Sequence, residues 1–369
     1  MKITAITVWH VDLPLAQPYA LSGGRLKLDG LDATIVRLDT DEGITGWGEG
    51  TPWGHTYVAA HGPGIRAGIE TMAPAILGLD PRQVTIVERV MDVTLPGHLY
   101  AKGPIDLACW DIAGQAAGLS IADMLGGRYA KGTSIASSIP SGTPEYMIRR
   151  VEEARERGYL NHSVKIGGDA EKDIERIRAI EAARLPGERI LYDVNRAWTR
   201  AQALQVMTAV EDLGIAVEQP GETLDDIAAI RPLTRLPISV DERLETLQDA
   251  TRIAREGLAE IFNIKLGRVG GLTKARRMRD IALAHGIDCY VMATGGSVLA
   301  DAEAAHLAQT IPPEHRLGVW ACQDMITAEI AGGRGPRNQD GMLTVTDAPG
   351  LGVHPNEAAL GAPVARYAV

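Results

Sequence analysis

The chain has 369 residues, 45% of them hydrophobic and 23% charged, with 37 Lys and Arg against 47 Asp and Glu. That length supports a large core and more than one domain, and the composition is ordinary for a soluble globular protein. The formal net charge of −10 argues against nucleic acid or an anionic membrane as a partner, and no stretch approaches the ~20 apolar residues of a membrane span.

The N-terminus, "KITAITVWHVDL", alternates as a strand does, where a signal peptide would show an apolar run. A cytoplasmic location is the expectation. "LDATIVRLDT" alternates too, and "DEG" before "ITGWGEG" is a hairpin signal. Helical patterns follow at 60–78, 82–94 and 100–117. Strands followed by helices predict an α+β domain over residues 1–128. The cysteines, Cys109, Cys289 and Cys322, are sparse and unpaired in spacing, which fits small buried hydrophobes in a reducing compartment.

From residue 129 the rhythm changes. Short apolar runs alternate with amphipathic stretches: 134–139, 162–167, 189–195, 215–219, 237–242, 261–266, 288–294 and 318–323. Eight such units predict a (β/α)8 TIM-like barrel over 129–325. The Gly-, Pro- and Asp-rich tail, 326–369, is expected to pack back on the first domain as part of a cap.

Barrel enzymes carry their chemistry at the C-terminal ends of the strands. Here the second strand ends at Lys165 and the third at Asp193 and Asn195. The fourth ends at Glu218, the fifth at Asp241 and Glu242, and the sixth at Lys265. Asp193, Glu218 and Asp241, on three successive strands at spacings of 25 and 23, would converge and repel unless a divalent cation joined them. All-oxygen donors favour Mg2+ first and Mn2+ second. Asn195 and Glu242 would support the ligands from behind. Lys165 and Lys265, on strands two and six of eight, would oppose each other. Burial and a nearby cation would lower a lysine pKa, fitting each for proton transfer.

The motifs "SVKIGG", "YDVN", "VEQP", "SVDE" and "IKLGRVGGLT" resemble the muconate-lactonizing-enzyme subgroup of the enolase superfamily, over essentially the whole chain. The resemblance implies metal ligands Asp193, Glu218 and Asp241, an acid/base pair Lys165 and Lys265, and a Mg2+-stabilised enolate. One position departs: the subgroup often has Lys-x-Lys at the second strand, and the first of those positions is Ser163. "YALSGGRLKLDGLDAT", "GEGTPWGHTYVAAHGPG", "LYDVNRAWT", "VMATGGSVLAD" and "VWACQDM" are similar to the cis-3-hydroxy-L-proline dehydratases of the subgroup. Betaine epimerases look similar as well.

The resemblance implies a small imino-acid carboxylate as substrate, a homo-oligomer, and substrate contacts from the cap. Expected contacts are Trp53, His55 and Tyr57 of "TPWGHTY", the "LSGG" loop at 21–24, Trp320 by cation–π contact with an ammonium, and the turn Thr294, Gly295, Gly296 and Ser297. In cis-3-hydroxy-L-proline the C2 proton lies opposite the hydroxyl. Dehydration is then an anti elimination needing a base on one face and an acid on the other. Without a leaving group, the same pair would epimerise C2.

Overall fold

The structure, a computed structural model, describes residues 1–21 and 27–369. β1 (Ile3–Ala20), β2 (Lys27–Thr40) and β3 (Thr45–Gly50) form an antiparallel sheet. Gly43, at φ 79°, closes the turn between β2 and β3. A bulge between Pro14 and Tyr19 interrupts the β1–β2 register, where Pro18 has no N–H for the ladder. Three helices follow, Gly62–Ile76, Val84–Thr94 and Leu99–Ala117. The third is buried along most of its length and packs on the sheet and against the segment Leu266–Ala284. It fits because β3 presents glycines to it. A Cβ at Gly48 would stand 1.9 Å from the Pro104 carbonyl oxygen, and one at Gly46 2.2 Å from that of Ala108.

After a short β4 (Gly132–Ser134) come β5 (Ala136–Ile139), β6 (Asn161–Lys165), β7 (Arg189–Asp193) and β8 (Ala216–Glu218). Then follow β9 (Ile238–Val240), β10 (Ile261–Lys265), β11 (Asp288–Met292) and β12 (Arg316–Trp320). These are the eight expected strands, each parallel to the next, and a parallel bridge between Ile135 and Val319 joins the last to the first. β6 and β10 are buried at every position, as strands sandwiched between barrel interior and helices must be. Helices from Pro144–Glu156 to Val298–Ala308 return the chain between strands.

The tail touches both parts. β13 (Asn338–Gln339) and β14 (Met342–Thr344) pair with β4, and β15 (Ala365–Ala368) adds to the edge of β1. Cys109, Cys289 and Cys322 are buried and unpaired. Among the described residues no helix is long and apolar enough to cross a membrane.

Candidate active site

Strand register gathers the reactive groups. Paired residues of neighbouring parallel strands point to the same side of the sheet. Lys165 pairs with Asp193, and Asp193 with Glu218, giving one row across β6, β7 and β8. Lys265, Met292 and Trp320 form a second row across β10, β11 and β12. Asp241 follows directly on β9. Both rows line one cavity of ≈ 40 Å³, closed from the cap side by Tyr19, Leu21, Trp53 and Tyr57. Ser163, two residues before Lys165, lines it too, as does Thr294.

Both lysines are bonded to carboxylates. Lys165 Nζ donates to Asp193 Oδ2. Lys265 Nζ donates to Asp241 Oδ2 at 2.6 Å and to the Tyr57 hydroxyl. Asp241 also accepts from Arg268 Nη1 and from the Tyr57 hydroxyl, each at 2.6 Å. Burial alone would raise the Asp241 pKa, but Lys265 and Arg268 hold it well below the usual carboxylate range. At Lys165 burial pulls the pKa down, while the charges of Asp193, Tyr19 and Glu218 raise it above the ordinary lysine value; a cation held by those carboxylates would act in the lowering direction.

Glu218 is 1% exposed, and its Oε2 has no hydrogen-bond partner among the described residues. Burial, then the charges of Asp193 and Asp241, push its carboxyl well above the usual range. Glu242 is pushed up to about 7 by burial and by Asp241 and Asp193. Asn195, in the left-handed region at φ 45°, donates its N–H to Asp193 Oδ1 (2.8 Å). Its side-chain amide reaches Asp193 Oδ2 (3.0 Å) and Glu242 Oε1 (3.2 Å). Among the described residues no three acidic, His or Cys side chains already form a ligand cluster. The donor chemistry nevertheless fits a hard divalent cation: every donor is oxygen, and a buried, unpartnered Glu218 oxygen completes the set.

The cap residues divide. Trp53 and Trp320 line the cavity edge to face, with ring centroids 5.8 Å apart, and Tyr19 meets Trp53 at 5.5 Å. His55 is exposed and outside the lining, which corrects the expectation that it faces substrate. Gly295, Gly296 and Ser297 also lie outside it. A Cβ at Gly295 would stand 3.1 Å from the Trp53 ring, and one at Gly296 2.6 Å from Glu49 Oε1, so these glycines admit the cap. Ser297 caps the helix Val298–Ala308, and its hydroxyl donates to Glu49 at 2.5 Å. Ser22, Gly23 and Gly24 of "LSGG" fall outside the described residues. Sequence reasoning did not single out Arg268, Tyr19 or Ser138 for the site. Arg268 stands inside the quoted "IKLGRVGGLT", and a charge within an apolar strand-end motif was the signal for it.

Residues 3–126 match the profile of the mandelate racemase/muconate lactonizing enzyme N-terminal domain, and 146–359 match the enolase C-terminal domain-like profile. The chain is 39% identical to a cis-3-hydroxy-L-proline dehydratase of Roseibium aggregatum, covering 100% of both chains. It is 31% identical to an N-succinyl-L-Arg/Lys racemase of Bacillus cereus over 84% of each. Among solved structures it is similar to a mandelate racemase/muconate lactonizing type protein from Silicibacter pomeroyi, at 67% identity and TM-score 0.97, with 100% of both chains covered. An enolase-superfamily member from Roseovarius nubinhibens, complexed with magnesium, shows 50% identity and TM-score 0.97 over 100% of both chains.

Proposed function

Because the chain belongs to the mandelate racemase/muconate lactonizing enzyme family of the enolase superfamily, we propose that it is a Mg2+-dependent lyase that dehydrates cis-3-hydroxy-L-proline to Δ1-pyrroline-2-carboxylate. The observation that carries this reading is the pair of buried lysines on opposite strands of one barrel mouth, Lys165 and Lys265, each bonded to a carboxylate of the same oxygen-rich site. The full-length relative with dehydratase activity supports the choice of reaction.

Asp193, Glu218 and Asp241 would hold the cation, with Asn195 and Glu242 bracing them. A divalent cation there would bind the substrate carboxylate and stabilise the negative charge that builds on it as the C2 proton leaves. One lysine, as the free amine, takes the C2 proton from its face of the ring. The other, as ammonium, gives a proton to the departing 3-hydroxyl on the opposite face. The C2–H and C3–O bonds break, the C2=C3 bond forms, and water leaves. The resulting enamine tautomerises to the imine. Trp320 and Trp53, both lining the cavity, would offer π faces to the ring ammonium of such a substrate. The Trp53 indole N–H, buried and without an acceptor among the described residues, is a donor suited to a polar substrate atom.

The racemase relative favours a second reading, C2 epimerisation by the same lysines. Measuring kcat/KM for cis-3-hydroxy-L-proline, its trans-3 isomer and its betaine separates them. Free cis-3-hydroxy-L-proline should be preferred, because its ring N–H groups can donate to acceptors of the site that an N-methylated ring would leave unpaired. The trans-3 isomer should dehydrate poorly, its leaving group lying on the same face as the abstracted proton. Faster turnover of the betaine, with epimerised product alone, would move the chain to the second reading.

A further inference from the structure

Besides the reaction cavity there is a second, of ≈ 460 Å³, lined by the cap segment 56–59, by residues 97–100 leading into the helix Leu99–Ala117, and by Arg196, Glu242 and Arg243. Among the described residues Tyr57 alone lines both. It lies in a segment without regular secondary structure, whereas the lysines and Trp320 are fixed on barrel strands.

Three contacts hold Tyr57. Its carbonyl oxygen accepts from Arg196 Nη2 at 3.1 Å. Its hydroxyl donates to Asp241 Oδ2 at 2.6 Å while accepting from Lys265. Its ring centroid lies 4.7 Å from Lys265 Nζ. Arg196 is itself braced: its Nε is 3.6 Å from Glu242 and its Nη1 3.3 Å from Glu222, and its backbone is left-handed at φ 62°. The Lys265 ammonium is therefore confined between a carboxylate of the barrel and a phenol of the cap.

We propose that Tyr57 is a positioning residue for Lys265 and that Arg196 is the brace holding it there. The inference rests on the reading of Lys265 as an acid/base group. Tyr57→Phe keeps the ring and removes the bonds to Lys265 and Asp241. Arg196→Gln keeps the phenol and releases its backbone.

In the Mg2+-loaded protein, Tyr57→Phe should lower kcat about 10- to 100-fold, the range for losing a partner that orients an active-site group, with KM changed less than about threefold. Arg196→Gln should speed amide hydrogen exchange in peptides spanning 51–61 about tenfold while barrel peptides stay as in the parent. Arg196→Lys, which keeps a donor, should recover part of the protection. Exchange is read without substrate, so it tests the brace even for a chain that turns over none of the three compounds above. Unchanged exchange at 51–61 in Arg196→Gln would overturn the brace, and an unchanged kcat in Tyr57→Phe would overturn the positioning role.

Discussion

Removing the charge of Glu218 should stabilise this protein without metal and weaken it, relative to the parent, with metal. The side chain is 1% exposed, its Oε2 has no partner among the described residues, and it sits in one row with Asp193 and close enough to Asp241 to feel its charge. Glu218→Gln keeps the shape and drops the charge. An unsatisfied buried polar atom destabilises by about 1–3 kcal/mol, and more when charged. Gln leaves a polar atom buried at the same place, so the metal-free variant should gain only what the repulsion from Asp193 and Asp241 costs the charged form, a rise in Tm of at most a few degrees. Mg2+ at ~100 times its Kd should stabilise the parent by about 2.7 kcal/mol, and a variant with one charged ligand fewer should gain little. Calorimetric Tm plotted against Mg2+, starting from EDTA, should therefore show the two proteins crossing. A variant that melts below the parent in EDTA, or that keeps the parent's full Mg2+ shift, refutes the argument.

Lys165→Ala and Lys265→Ala should each lose dehydration by at least ~10²-fold, and normal turnover in both would contradict the assignment of acid and base. Arg268→Met removes a buried partner of Asp241; it should destabilise the protein by about 3 kcal/mol and weaken Mg2+ binding by calorimetric titration, and unchanged affinity would show that Arg268 does not steady the ligand. His306 is fully buried, accepts the Ala122 N–H at Nδ1 and bonds the Leu351 carbonyl through Nε2. Burial pulls its pKa from 6.5 down to about 4, so the unfolded chain takes up the proton first as pH falls. Its contribution is complete above pH 6.5 and is lost towards pH 4, at about 1.4 kcal/mol per pH unit. The Tm drop between pH 7 and pH 5 should be smaller in His306→Gln than in the parent, and an equal drop would place the acid sensitivity elsewhere.

The barrel was legible because its strands are short runs with mostly buried positions, β6, β9 and β10 throughout, and because reactive residues close several of those runs. "HSVKIG" and "IFNIKL" announce Lys165 and Lys265 for that reason. The cap was legible in its strands and helices but not in which way its loop side chains face. Nothing periodic in "TPWGHTY" tells that Tyr57 turns inward while His55 faces solvent. Tyr19 reaches Ser138 across 119 residues of chain from beyond a β-bulge, a contact set by packing of cap on barrel and by no local pattern. The glycines of "TGGS" resemble a ligand-binding turn, and only the positions of Trp53 and Glu49 show that they admit the cap.

The central claim, that two opposed lysines remove the C2 proton and expel the 3-hydroxyl, is tested most directly by proton NMR of cis-3-hydroxy-L-proline with the Mg2+-loaded protein in D2O. The account predicts loss of the C2 and C3 signals together as Δ1-pyrroline-2-carboxylate appears, in the parent and not in Lys165→Ala or Lys265→Ala. Deuterium entering C2 with the hydroxyl retained, and no elimination product, would contradict it.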